Sequence, residues 1–189
     1  MVKHMNILHI KKLHILVRLI LLSVLIFPSY LTHADDNVIA IDYIRGEGDV
    51  EGIKLAYQYH YDGIKTISPH LSMYFETSVN FWEYGAENKH DTNFVLAMSP
   101  VFRYQVGHVY SNPVYAELGI GISLLDDTQF AGKDVSTHYQ FEDRLGVVYK
   151  FGKNQKYSVA LRYLHYSNAG FKSPNPGLDF VSLSYSTKM

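Results

Sequence analysis

The sequence predicts an all-β protein, an eight-stranded antiparallel transmembrane β-barrel of the outer-membrane type, on three observations. Apolar and polar residues alternate with period two after Asp35, and no amphipathic stretch of helical period persists. The alternating stretches number eight, each of roughly ten residues, the length a tilted strand needs to cross a bilayer. The chain also holds 16 Tyr and 10 Phe, several at the ends of those stretches, where interfacial girdles form.

The first element is not a strand. Residues 1–34 carry Lys3, Lys11, Lys12 and Arg18 and no acid, and Leu19 to Leu31 is almost wholly apolar. Those 13 residues fall short of the roughly 20 that a membrane-spanning helix needs. Thr32-His33-Ala34 then offers small residues at the two positions a signal peptidase reads. The expectation is a signal peptide over 1–34, cleaved after Ala34, and one barrel domain over 35–189.

The strands follow in order. Val38 to Ile44 alternates first. In Ile53 to Tyr61, one face reads Ile53, Leu55, Tyr57, Tyr59 and Tyr61 against Lys54, Ala56, Gln58 and His60 on the other. In Leu71 to Phe81, Leu71, Met73, Phe75, Val79 and Phe81 oppose Ser72, Tyr74, Glu76, Ser78 and Asn80. A less regular stretch runs from Asn93 to Val106. Val114 to Leu124 and Tyr139 to Phe151 come next, and Tyr157 to Ser167 and Asp179 to Met189 complete the set. Turn-forming residues separate them at 46–49, 85–92, 111–113, 126–134, 152–155 and 168–177.

Each strand has one apolar face, and the character of the other decides which meets lipid. The polar face mixes large charged groups (Glu76, Glu117, Glu142, Arg144, Arg162) with small residues (Gly119, Gly121, Gly146). That mixture suits the packed interior of a narrow membrane barrel, where charges pair across the lumen. A soluble barrel carrying a lipid inside would instead turn its apolar face inward. On this reading His60 and His138 face the lumen, and Arg162 is an interior ion-pair member.

Composition excludes other classes. Without the four basic residues of the leader, 13 positive charges remain against 18 negative, which argues against nucleic acid as a partner. There is no cysteine, hence no disulfide framework. The histidines after residue 34, His60, His70, His90, His108, His138 and His165, are scattered without metal-ligand spacing, so no metal site is expected.

One cluster carries chemistry. The segment Leu164-His165-Tyr166-Ser167-Asn168-Ala169-Gly170 is followed by Pro174-Asn175-Pro176-Gly177-Leu178-Asp179. Residues two apart on a strand share a face, so His165 and Ser167 lie together, and Asp179 extends the outward series of the next strand. Hydroxyl, imidazole and carboxylate are the parts of an acyl-transfer site. All three fall on the lipid-facing wall, roughly 20 Å from the periplasmic end, near the outer-leaflet headgroups. A substrate that is a membrane-lipid ester accounts for polar groups there. Taken singly, Ser167 and Asn168 also read as turn residues, Asp179 as a strand-end charge and Lys172 as an exposed loop lysine.

The stretch from Arg162 to Asp179, in a signal-bearing eight-stranded chain, resembles the PagL family of lipid A 3-O-deacylases. The resemblance implies an outer-membrane esterase that removes the 3-O-linked hydroxyacyl chain of lipid A, with lipopolysaccharide and outer-membrane lipids as partners and no cofactor. It implies Ser167 as nucleophile, His165 as base and Asp179 as the acid orienting the imidazole. It also implies oxyanion or substrate-positioning roles for Asn168, Ala169, Gly170 and Asn175. The family's acid is usually glutamate, one methylene longer than Asp179. The competing expectation is a non-enzymatic structural or adhesive barrel of the outer membrane.

Overall fold

The computed structural model describes residues 37–85 and 91–189. The expected signal peptide lies outside the described residues. Among these, ten strands form: β1 Val38–Gly46, β2 Val50–Tyr61, β3 Leu71–Tyr84, β4 Asp91–Val109, β5 Asn112–Leu125, β6 Gln129–Phe130, β7 Lys133–Asp134, β8 Tyr139–Phe151, β9 Tyr157–Ser167 and β10 Leu178–Lys188. Eight close into one antiparallel barrel in the order β1-β10-β9-β8-β5-β4-β3-β2, which bears out the expected class. The seam joins β1 to β10, with Val38 opposite Lys188 and Gly46 opposite Phe180. Closure leaves no unpaired edge, the condition for a sheet to sit in lipid.

The pair β6–β7 is new relative to the sequence reading, which took residues 126–134 as a turn. Its two-residue connection, Ala131-Gly132, has φ of +52° and +72°, the primed geometry that matches strand twist. Alanine at the first position hides that turn from composition-based reading.

The period-two alternation sorts the side chains as expected. Leu118, Ile120, Leu145, Leu161 and Leu183 stay exposed on the outer wall, where lipid takes the place of water. Among the described residues, four cations and four carboxylates are buried inside. Lys54 Nζ lies 2.9 Å from Glu76 Oε1 and 3.2 Å from Glu142 Oε2, and Arg144 Nη2 lies 2.7 Å from Glu142 Oε1. Arg103 and Arg162 share Glu117 at 2.8 and 2.7 Å, and Arg162 reaches Asp42 at 2.9 Å. Tyr74 and Tyr166 donate to Glu117 and Glu142 at 2.8 and 2.7 Å. A buried charge is tolerable only when paired in this way. Gly146 makes room for the network: a Cβ there would stand 2.9 Å from Arg162 Cγ.

The lumen is not polar throughout. At the rim bearing the β9–β10 loop, Trp82 packs on Phe180 at 4.5 Å and on Tyr166 at 4.9 Å, with Phe130 at 6.0 Å. Ile44, Val50, Val95, Leu125, Leu164 and Leu178 join this apolar layer. Phe130, from the β6–β7 hairpin, is 1 % exposed and fastens that hairpin into the barrel mouth. At the opposite rim Tyr149, Phe151, Tyr157 and Tyr185 form a chain of ring contacts at 5.8 to 6.2 Å, as an interfacial girdle requires.

Candidate active site

Ladder register brings the outward side chains of three strands together. β10 pairs with β9 so that Asp179 stands directly opposite His165. β8 pairs with β9 so that Asp143 faces His165 from the other side and Phe141 faces Ser167. A carboxylate-bearing residue thus stands in register with His165 on each neighbouring strand.

His165 Nδ1 and Asp179 Oδ1 are 2.6 Å apart. A carboxylate only accepts, so Nδ1 carries the proton and Nε2 is left with its lone pair. Tyr163, two residues before His165 on the same face, donates its hydroxyl to the same Oδ1. Gly177 lies against the ring: a Cβ at this position would stand 2.6 Å from His165 Cε1. Its φ is +69°, a second reason for glycine. Ser167 is partly buried and makes no hydrogen bond to His165 among the described residues. In sites without substrate, such contacts commonly tighten only when substrate binds.

The loop that follows is stapled by Asn168, which is fully buried. Its Nδ2 donates to Val135 O at 3.1 Å and Lys172 O at 2.9 Å, and its Oδ1 accepts the Gly170 N–H at 2.9 Å. The Asn168 N–H donates to Asn175 Oδ1 at 3.1 Å, which fixes the Asn175 amide. Of the four residues expected to bind or position an oxyanion, Asn168 and the Gly170 N–H are therefore engaged within the loop. The Ala169 N–H and Asn175 Nδ2 remain as donors without a protein acceptor among the described residues.

A second loop braces the first. Ser136 Oγ donates to Pro174 O at 2.7 Å, and Lys133 Nζ to Gly177 O at 3.1 Å. Lys172 Nζ reaches back to Ser136 O at 2.9 Å. Beside Ser167, Phe141 contacts Tyr139 at 5.2 Å and Phe171 at 6.2 Å, an aromatic patch on the lipid side. No group of three or more His, Cys, Asp or Glu with metal-binding geometry occurs among the described residues.

Sequence reasoning missed Tyr163, Asp143 and Gly177. Tyr163 was legible in principle, since it shares the face of His165 and Ser167. Asp143 and Gly177 needed the register and the loop path.

The chain as a whole resembles proteins of known activity. A sequence model described as lipid A 3-O-deacylase (PagL) matches residues 51–188. The lipid A deacylase PagL of Pseudomonas aeruginosa is 36% identical over 123 residues, covering 64% of this chain and 67% of that protein. The Bordetella bronchiseptica lipid A deacylase PagL is 41% identical over 86 residues, a match spanning 46% of this chain and 45% of that protein's length. The crystal structure of the outer membrane enzyme PagL superposes with a TM-score of 0.69 at 26% identity, covering 80% of this chain and 99% of that one. Barrel and matched sequence converge: the chain belongs to the PagL family of lipid A 3-O-deacylases, ester hydrolases built on an outer-membrane β-barrel.

Proposed function

We propose that the chain hydrolyses the 3-O-linked hydroxyacyl ester of lipid A, using His165, Ser167 and Asp179 on the outer wall of the barrel. The observation that carries the reading is the His165–Asp179 hydrogen bond on the lipid-facing side, with Ser167 two residues along the same strand. The two longest connections, 126–138 and 168–177, lie at one rim, as in barrels whose long loops are extracellular. That orientation supports a site at the level of outer-leaflet headgroups, where lipid A esters lie.

Ser167 Oγ attacks the ester carbonyl carbon while His165 Nε2 takes its proton. Asp179 holds the Nδ1–H tautomer and stabilises the imidazolium that forms. The Ala169 N–H and Asn175 Nδ2 donate to the developing oxyanion. Collapse breaks the bond to the sugar oxygen, which leaves with the proton from His165. Water then attacks the acyl-serine, giving its proton to His165, and the hydroxy fatty acid departs as Ser167 regains its hydrogen. Net consumption is one water per ester. The Tyr139–Phe141–Phe171 patch gives the acyl chain an apolar surface beside the nucleophile.

Expression in a Gram-negative host with 3-O-acylated lipid A should lower lipid A mass by one hydroxyacyl group. Ser167→Ala and His165→Ala should abolish the change while leaving a barrel of unaltered heat-modifiable gel mobility. Full activity in either variant overturns the assignment.

A further inference from the structure

Asp179 sits between two environments. On the β9 side its Oδ1 meets His165 Nδ1. On the β1 side it lines a cavity of about 320 Å³, shared with Glu47, Tyr84 and Lys133. Lys133 Nζ is paired at 2.7 Å to Glu47, whose side chain is 63% exposed, and donates to Gly177 O at 3.1 Å; its positive charge still offers a competing attraction to a carboxylate that turns toward it. Aspartate has two side-chain torsions and 27% of its side chain exposed, so packing alone does not choose between the two sides.

We propose that Tyr163 is the positioning residue that makes the choice: its hydroxyl, bonded to Asp179 Oδ1, holds the carboxylate on the His165 side and away from the cavity. The inference rests on the deacylase reading above and concerns a residue that does not touch the ester. Tyr163, His165 and Ser167 stand at i, i+2 and i+4 on the outer face of β9, so one strand carries nucleophile, base and the brace for the acid. The brace matters because Asp179 is only the second residue of β10, next to the loop, where the ladder restrains it least.

The test uses the full-length barrel in detergent micelles, with purified lipid A as substrate. Tyr163→Phe removes only the hydroxyl and should lower kcat about tenfold with KM within about twofold of wild type, since charge-assisted hydrogen bonds contribute at this level. In the Asp179→Ala background the same change should alter the residual rate by less than about twofold. A proton spectrum gives a readout independent of turnover: the downfield His165 Nδ1–H resonance of the wild type should move or broaden in Tyr163→Phe. Tyr163→Phe with wild-type kcat, or an unchanged Nδ1–H resonance, overturns the positioning role. An equal loss in the Asp179→Ala background does so too, because the hydroxyl then acts on something other than the acid. Wild-type protein that releases no hydroxy fatty acid while the resonance responds rejects the deacylase reading and keeps the brace.

Discussion

Gly177→Ala is the sharpest probe of how the imidazole is held. The added Cβ would meet His165 Cε1 at 2.6 Å and Nε2 at 3.4 Å, whereas ordinary contact begins at 3.4 Å. Something must yield by about 0.8 Å. The peptide is the less yielding side, because Lys133 Nζ holds the Gly177 carbonyl and Ser136 holds Pro174. The ring therefore moves, and Nε2 moves with it. A displacement of that order costs about 100-fold in rate. The positive φ adds a backbone penalty of about 1–2 kcal/mol that affects stability rather than chemistry. Gly132→Ala separates the two effects: its φ is +72°, yet an added Cβ has nothing within 4 Å. The assay is hydroxy fatty acid release from lipid A in micelles, with heat-modifiable mobility reporting the fold. Gly177→Ala should be folded and about 100-fold slow; Gly132→Ala should be folded and within about threefold of wild type. A folded Gly177→Ala enzyme retaining more than a third of wild-type rate would falsify the argument that ring placement sets the rate.

Two further outcomes follow from the loop. Asn175→Ala and Asn175→Asp both remove the Nδ2 donor, while only the first removes the acceptor for the Asn168 N–H. If the amide stabilises the oxyanion, both lose about 100-fold in kcat; a loss confined to Asn175→Ala assigns the side chain to loop structure instead. Ser136→Ala deletes the 2.7 Å bond to Pro174 O. It should cost about 1 kcal/mol locally and speed amide hydrogen exchange across 168–177, with exchange in β9 unchanged.

The barrel was legible because its signal is redundant. Each strand repeats the same alternation, and a polar set as large as Glu76, Glu117, Glu142, Arg144 and Arg162 has a home only in a lumen where charges pair. The apolar layer around Trp82 was less legible, because alternation turns Leu164, Tyr166 and Phe180 inward but does not say that they meet Trp82 and Phe130 across the lumen. His165 and Ser167 announced themselves by polarity on an otherwise lipid-facing series. The positioning groups did not. Gly177 reads as an ordinary turn glycine, and its value lies in a contact with a ring on another strand. Asn168 reads equally as a donor to substrate or as a loop staple, and only its partners Val135 and Lys172 distinguish the two.

The polar lumen belongs to the site's scaffold although it touches no lipid. His165 meets Asp179 only in one register of β9 against β10, and a slip of one residue would turn the acid into the barrel. Asp42 on β1 guards that register. Its Oδ2 accepts from Arg162 of β9 at 2.9 Å and from Ser182 of β10 at 3.0 Å, and these two are themselves ladder partners. Slippage would break both bonds and strand a buried charge, at a cost of about 3–5 kcal/mol. Arg162 lies three residues before His165 and Ser182 three after Asp179, on opposite faces of the same two strands. One interior carboxylate thus pins the alignment that the outer face uses for chemistry. The charges look wasteful for a barrel whose lumen is filled, but they specify register more sharply than an apolar core of equal volume, and register is what the outward pair depends on.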